Sequence, residues 1–397
     1  MKRVLFAFSG GIDDVLGVHW LSRIQGHPVV ALLADLGQAD RLEPLGELAL
    51  ESGAQSTIIV DLRRDFIERF VFPTLFSGAR YEDYLLSTPL ARYAICAELV
   101  RLAREQGFDT VGHGASGGGN DQLRVEASVA ALDPALSVVA PQREMPMMDL
   151  AQKRERIARL QLPDREEFAR LISVDRNLWG CGQVYGGLSD PWEPPPEEIY
   201  QVTCNPLEAP AEPVEVGIAF EHGVPVAVDE VGLDAVRLVE RLNAIGGEHG
   251  IGRLDHVENR VLGGKAREIY EAPGAQLLYT AHGALEELTQ PRDLLRLKRS
   301  LAEEYGRLIY EGQWFGELRG ALDHFFRATQ HYVSGRIRLR LFKGAVTVRG
   351  RESRYALYER EGNEPPERRA RLREAAVGFV DSITRQRKAE ATQRQPR

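Results

Sequence analysis

The chain has 397 residues, 43% of them hydrophobic and 27% charged, with a net charge of -8. At roughly 150 residues per domain it holds about two to three domains and can bury its own core. The apolar fraction excludes a disordered chain, no apolar run reaches the roughly 20 residues of a membrane span, and the acidic balance argues against a nucleic-acid partner. Cys96, Cys181 and Cys204 lie far apart, without metal-ligand spacing and in odd number, which points to a reducing cytoplasm.

The N-terminal string MKRVLFAFSGG begins like a signal peptide. Its apolar run is only about five residues and enters a Gly pair, so Val4 to Phe8 is expected to be a buried strand. Ile12, Val15, Leu16, Trp20 and Ile24 then recur at helical spacing. Further strands are expected at Val29 to Leu33, Thr57 to Val60, Thr110 to Gly112 and Val138 to Ala140. Helices are expected from Glu43 to Glu51, stopped by Gly53, and from Leu90 to Gln106, closed by Gly107. Strand, crossover helix and strand in repetition predict an α/β, doubly wound parallel sheet that binds ligand at the carboxyl ends of its strands. Residues 144 to 170 read as a helical bridge between domains. The proline-rich stretch 190 to 213 must be irregular, and its Trp192 and Tyr200 favour a loop packed on a surface. An α+β region is expected from Val214, with a hairpin at residues 336 to 349. The last 14 residues are polar and mostly basic, and a frayed tail is expected there.

Ser9-Gly10-Gly11-Ile12-Asp13 lies between the first strand and its helix. Glycines there let backbone N–H groups approach an anion, and a helix N-terminus adds favourable potential. An ordinary strand-to-helix turn explains Gly-Gly equally well, and no Gly-Lys-Ser/Thr follows, so this is no Walker loop. The string resembles the pyrophosphate loop of ATP pyrophosphatases, SGGxD followed by Ser or Thr-Ser. Those enzymes cleave ATP to AMP and pyrophosphate and adenylate a carbonyl oxygen. Here Asp14 and Val15 follow, so two hydroxyl donors are lost and one carboxylate is gained. A second carboxylate repels a polyphosphate unless Mg²⁺ sits between them. Asp14 is therefore the one metal-binding suggestion, set against the plain reading of Asp13-Asp14 as a helix start stabilised by negative charge.

A second cluster, HGASGGGNDQLRVE, begins at His113. Gly114, Gly117, Gly118 and Gly119 form an extended turn, and Asn120 and Asp121 are placed to cap a helix with Leu123, Ala127 and Ala130 facing inward. This segment resembles the HGxTGKGNDQVRFE signature of the argininosuccinate synthase family. YEDYLLSTPLAR resembles that family's YLLGTSLAR, VVAPQR its IAPWR, and SVDRNLWG its SxDxNLWGxS. GVPVAV, LNAIGGEHGIGRLDHVENRVLGGKAREIYEAPGAQLLYTAH and LFKGAVTVRGRES resemble its later segments, in the family's order. The likeness covers nearly the whole chain.

Argininosuccinate synthases use ATP to adenylate the ureido oxygen of citrulline, and the aspartate amine then displaces AMP. The resemblance implies ATP and Mg²⁺ as cofactors, L-aspartate as donor, and a ureido or carbonyl amino acid as acceptor. It assigns nucleotide contacts to Ala7, Phe8, Ser9, Gly10, Gly11, Asp13, Asp14, Ala34, Gly114, Ser116, Gly117 and Gly119, with Gly118 where the signature has lysine. The aspartate-binding Thr, Asn and Asp fall on Ser116, Asn120 and Asp121. By itself Asp121 is a helix cap, and the resemblance reverses that. On the acceptor side Tyr84, Thr88, Asn120, Arg124, Ser173, Glu258 and Tyr270 match, with Arg124 suited to a carboxylate and Glu258 to an ammonium. Pro89 and Gly182 replace two serines that contact citrulline, which implies either an acceptor other than citrulline or weak binding of citrulline. Asp13, Asp121 and Arg124 are the catalytic candidates.

Gln142 stands for the tryptophan of IAPWR, and EMPMMDLAQKRERIARL replaces the segment that follows it. His113 could contact ligand or be a satisfied structural histidine, and His249 in GGEHGIGR is expected on the active-site side. The implied organisation is a nucleotide-binding domain at 1–166, a synthetase and multimerisation domain at 167–358, and a C-terminal arm at 359–397 within a cytoplasmic homotetramer. Three rivals remain: an ordinary argininosuccinate synthase, a non-catalytic nucleotide- or aspartate-binding homologue, and an RNA-modifying ATP pyrophosphatase, against which the acidic balance speaks.

Overall fold

Five strands form the first sheet: β1 (Val4–Ala7), β2 (Val29–Asp35), β3 (Ser56–Asp61), β4 (Thr110–His113) and β5 (Ser137–Val139). They hydrogen-bond in the order β3-β2-β1-β4-β5, every pair parallel. Successive side chains of a strand point to opposite faces. Val4 and Phe6 accordingly pack with Val15, Leu16 and Leu48 on one face, and Leu5 packs with Leu99, Val111 and Val129 on the other. The chain leaves β1 toward β2 and β3, then returns past it to β4 and β5. That reversal opens a crevice at the carboxyl ends of β1 and β4, where Ala7 pairs with His113.

The computed structural model describes residues 2–38, 41–115, 119–165, 168, 172–185, 188, 190–358 and 365–393. All five expected strands are present, and the sheet is the doubly wound parallel one. The first helix (Ile12–His19) runs on through a π turn, Trp20–Ile24. The helices Leu42–Glu51 and Ser87–Gln106 cover the expected ranges. Two expectations need correction. The helix Asp121–Leu132 buries Arg124, Val125, Ser128 and Val129, while Ala130 is exposed. An apolar pattern cannot anticipate that Arg124 goes inward as half of an ion pair. Between 144 and 165, only Leu150–Arg159 forms a helix of more than one turn, started by an Asp149–Gln152 capping box. The capping box sets its start, and Pro163 bars its extension on the C-terminal side.

Two antiparallel sheets follow. One joins β6 (Ile172–Asn177), β7 (Gly180–Tyr185), β11 (Arg253–Asn259) and β12 (Lys265–Glu271) in the order β11-β12-β7-β6. The other joins β8 (Val214–Glu221), β9 (Val224–Val228), β10 (Val231–Gly232), β13 (Gly335–Phe342) and β14 (Ala345–Glu352) in the order β10-β9-β8-β13-β14. β13 and β14 are the expected hairpin, turning at Lys343-Gly344. The helices Pro273–Thr289 and Arg292–Tyr310 share one apolar cluster with Leu90 and Tyr93 of the 87–106 helix, so that helix belongs to both halves of the core.

The proline-rich stretch is irregular apart from a short 3₁₀ turn, Glu197–Ile199. It is pinned by Glu271, whose oxygens accept from the N–H groups of Gln201 (2.8 Å), Val202 (3.0 Å) and Thr203 (2.9 Å) and from the Thr203 hydroxyl (2.6 Å). Tyr200 packs under Arg253, at 3.7 Å, but Trp192 is 89% exposed, so only one of the two aromatics anchors the loop.

Contacts divide the chain into two units, Met1–Ala356 and Leu357–Arg397. The second is the helix Pro366–Gln393. The tail expected to fray from residue 384 is helical through Gln393, because Arg, Gln, Lys, Ala and Glu are good helix formers.

Candidate active site

The loop after β1 closes on itself. Gly10 takes φ +84°, which a residue with a side chain rarely adopts. Asp14, in the first turn of the 12–19 helix, points back across the loop. Its Oδ2 accepts from both the N–H and the hydroxyl of Ser9, at 2.6 Å each. It is 7% exposed, and burial pushes its carboxyl up to about 6, against the Ser9 hydrogen bonds. The other oxygen faces the second loop: a Cβ on Gly114 would lie 1.8 Å from Asp14 Oδ1. The two glycine loops therefore meet at this carboxylate. A group that could have offered Ser9 donors to a phosphate is already met by the chain's own anion.

Asp13 turns the other way. Lys153 Nζ lies 2.7 Å from its Oδ1 and 3.0 Å from its Oδ2, and Gln142 Nε2 donates to its backbone carbonyl at 2.8 Å. His113 is buried: its Nδ1 accepts from Ala115 N–H at 3.2 Å, its Nε2 lies 3.7 Å from Glu126 Oε1, and burial, chiefly, lowers its affinity for a proton.

A second constellation begins at Asp121, whose carboxylate is no helix cap. Its oxygens pair with Arg92 Nε (2.9 Å) and Arg124 Nη1 (2.8 Å). Burial alone would raise its pKa, but the two guanidiniums outweigh that and hold it at about 2. Arg92 also bonds Asp175, and its charge reaches Asp14. Arg124 Nε donates to the backbone carbonyl of Tyr310 at 3.0 Å. The Tyr310 hydroxyl donates to Glu258 (2.6 Å) and accepts from Asn120 Nδ2 (2.9 Å), while Tyr270 donates to the other Glu258 oxygen (2.9 Å). Glu258 is 4% exposed; burial opposes its ionisation, and His256, Tyr310 and Tyr270 together more than offset that, so its pKa is lowered. Tyr84 stacks on Tyr270 at 3.8 Å, and Tyr81 on Tyr310 at 3.6 Å. The result is one continuous polar chain from Asp175 to Tyr270, walled by two aromatic pairs.

The sequence candidates fall into this picture as follows. Ala7 ends β1, Ala34 is the penultimate residue of β2, and Phe8 is buried with its N–H on Leu32 O. Ser9, Gly10, Gly11, Asp13, Asp14 and Gly114 form the first constellation, and Gly119 leads into the 121–132 helix. Tyr84, Asn120, Asp121, Arg124, Glu258 and Tyr270 form the second. Thr88 donates its N–H to Tyr84 Oη at 2.7 Å, and Pro89 is buried in the first turn of the 87–106 helix. Gly182 stands opposite Tyr270 in the β7–β12 ladder, and a Cβ on it would lie 3.1 Å from Tyr270 Cε1. Ser116 and Gly117 lie outside the described residues. So does the side chain of Ser173, whose backbone pairs with Val184 in β6–β7. His249 follows the 235–248 helix as a buried residue, and its backbone carbonyl accepts from Gly344 N–H at the hairpin turn.

Sequence reasoning missed Arg92, Asp175, Tyr81, Tyr310 and Lys153. The first three lie inside the strings YEDYLLSTPLAR and SVDRNLWG, so the signal was on hand. Tyr310 and Lys153 sit in ordinary amphipathic helices, and only the tertiary fold brings them to the site.

Residues 3–158 match the model for the arginosuccinate synthase N-terminal HUP domain, and residues 172–389 match the model for the arginosuccinate synthase C-terminal domain. Over 361 residues the chain is 43% identical to an argininosuccinate synthase of Moorella thermoacetica, covering 91% of this chain and 88% of that one. An argininosuccinate synthase of Symbiobacterium thermophilum is 44% identical over 387 residues, covering 96% and 95%. That of Gloeobacter violaceus is 44% identical over 384 residues, covering 96% of each chain.

Proposed function

Since the chain belongs to the argininosuccinate synthase family, we propose that it is an ATP-dependent carbon–nitrogen ligase, which adenylates an amino-acid acceptor and joins it to L-aspartate with release of AMP and pyrophosphate. The contact of Asp14 with Gly114 carries this reading. It brings the phosphate loop against the segment that leads directly to Asn120, Asp121 and Arg124. Phosphates are received at the N-terminus of the 12–19 helix by backbone N–H groups. Donor and acceptor are held beside them, so a bimolecular attack becomes a local one.

The proton affinities assign roles. At a pKa of about 2, Asp121 is a fixed anion rather than a base. It positions Arg92 and Arg124 and can hold the donor's ammonium. Glu258, ionised under two phenol donors, suits the ammonium of the acceptor. ATP brings Mg²⁺, which supplies charge neutralisation between phosphate oxygens. Among the described residues no group of three His, Cys, Asp or Glu could hold a metal. Asp14 is the residue that would hold a Mg²⁺ ion brought with ATP, and the ion would supply charge neutralisation between that carboxylate and the phosphates.

The names of the relatives favour citrulline as acceptor. Gly182 and Pro89 support a second reading, an acceptor other than citrulline, because neither supplies a hydroxyl in this pocket. A coupled assay with citrulline, aspartate and ATP separates the two. Rapid pyrophosphate release supports citrulline; silence there, with ATP–pyrophosphate exchange on another ureido or carbonyl amino acid, supports the second. No exchange with any acceptor would refute the ligase reading and leave a binding homologue. We also read residues 1–166, 167–358 and 359–397 as nucleotide-binding domain, synthetase domain and arm of a cytoplasmic homotetramer. Leu372, Val377, Phe379, Val380 and Ile383 are exposed on the 366–393 helix, as an arm covered by a neighbour requires.

A further inference from the structure

The segment 114–119, Gly-Ala-Ser-Gly-Gly-Gly, contains no cation, and the loop after β1 carries two carboxylates, Asp13 and Asp14. A polyphosphate arriving there meets like charge from its own binding site. Arg92 is held elsewhere, between Asp121 and Asp175. Lys153 is differently placed. It stands on the 150–159 helix, which the Asp149–Gln152 capping box starts and buried Ile157 anchors into the core beside Val15 and Leu16. Its ammonium reaches the two Asp13 oxygens at 2.7 and 3.0 Å, with 18% of the side chain exposed. An ammonium has three donors. One is directed at Asp13 Oδ2, and an incoming oxygen can be met by the ammonium without breaking that pair. Gln142, donating to the Asp13 carbonyl at 2.8 Å, holds the same residue from the neighbouring turn.

We propose that Lys153 is a phosphate-side cation of this site, beside the Arg165 guanidinium that lies against Gly10: bridged to Asp13, it donates to a terminal phosphoryl oxygen of bound ATP and so offsets the like charge of Asp13 and Asp14. This rests on the ligase reading above and names a residue that reading lacks. The distinguishing property is selectivity for the terminal phosphates. AMP lacks them, so it should not depend on Lys153.

The test is titration calorimetry of the full chain with ATP and with AMP, for the wild type and the variants K153M and K153R, each first shown to melt as the wild type does. Loss of one charge-assisted contact predicts that K153M binds ATP about tenfold to hundredfold more weakly. AMP binding should change by less than about twofold. K153R should stay near the wild type. A K153M variant that binds ATP as tightly as the wild type, or that loses ATP and AMP equally, overturns the proposal. A wild type that binds no ATP at all overturns the ligase reading first, and the two failures are thereby told apart.

Discussion

Replacing Asp14 with asparagine keeps the shape of the side chain and its acceptor for Ser9 while removing the charge. The carboxyl titrates at about 6 in the fold against 3.8 free. That gap is equivalent to about 3 kcal/mol against the ionised form, at about 1.4 kcal/mol per pH unit. The folded state holds this proton more tightly than the unfolded chain. Stability therefore falls as pH rises from 3.8 through about 6, and the full cost is present above that. Asp14→Asn should then raise stability near pH 7.5 by up to about 3 kcal/mol and leave it unchanged below the free pKa.

Nucleotide binding should follow the same proton. A phosphate about 4 Å from the ionised carboxylate meets a repulsion of about 4 kcal/mol at an effective dielectric of about 20. Near pH 7.5, protonating Asp14 costs only about 2 kcal/mol, so the site takes up a proton instead. In metal-free buffer the Kd for ATP should rise about tenfold per pH unit between about 6.5 and 8.5, relative to Asp14→Asn as the reference for the nucleotide's own titration. Calorimetry in buffers of different ionisation enthalpy should show about one more proton taken up by the wild type. Parallel pH slopes, or an asparagine variant that binds more weakly than the wild type, would refute the reasoning.

Glu271→Ala strips the acceptor from three backbone N–H groups and the Thr203 hydroxyl. A loss of about 3–5 kcal/mol is expected, with early protease cleavage in the 190–213 loop as the readout. Tyr310→Phe removes the hydroxyl between Glu258 and Asn120. Glu258 should then titrate higher, and the KM for the acceptor should rise about tenfold with the KM for ATP unchanged; an equal rise in both would mean a general collapse of the site. Gly182→Ser places a Cβ 3.1 Å from Tyr270, so that ring must give by a few tenths of an ångström. If the added hydroxyl serves citrulline, its kcat/KM should rise about fivefold to tenfold, and an unchanged value would show that Gly182 does not set acceptor choice.

The first sheet was legible because each strand is a short apolar run bounded by glycine or a polar turn, and that pattern has one economical fold. Asp14 was legible as an anomaly, since a carboxylate in a phosphate loop contradicts the chemistry of its neighbours. Its contact with Ser9 was not, because a side chain turning back on its own loop leaves no periodicity. The inward face of the 121–132 helix was misjudged for a related reason. Arg124 looks solvent-facing until Asp121 and the Tyr310 carbonyl, 186 residues away, are seen beside it. Lys153 and Tyr310 were invisible because helical spacing says which face is buried, not what that face meets.

Arg124 also bears on how the protein can be divided. It starts from a helix of the nucleotide-binding half and ends on the last carbonyl of the 292–310 helix, a group with no partner further along its own helix. One guanidinium thus serves as the partner of Asp121 and as the stop of a distant helix. Neither half, produced alone, would hold a finished site: one would leave Arg124 Nε without its acceptor and the other would fray at Tyr310. A chain cut within residues 160–165 should regain activity only when its two pieces are mixed, and the dose of each piece would then measure how tightly that single joint couples folding to chemistry.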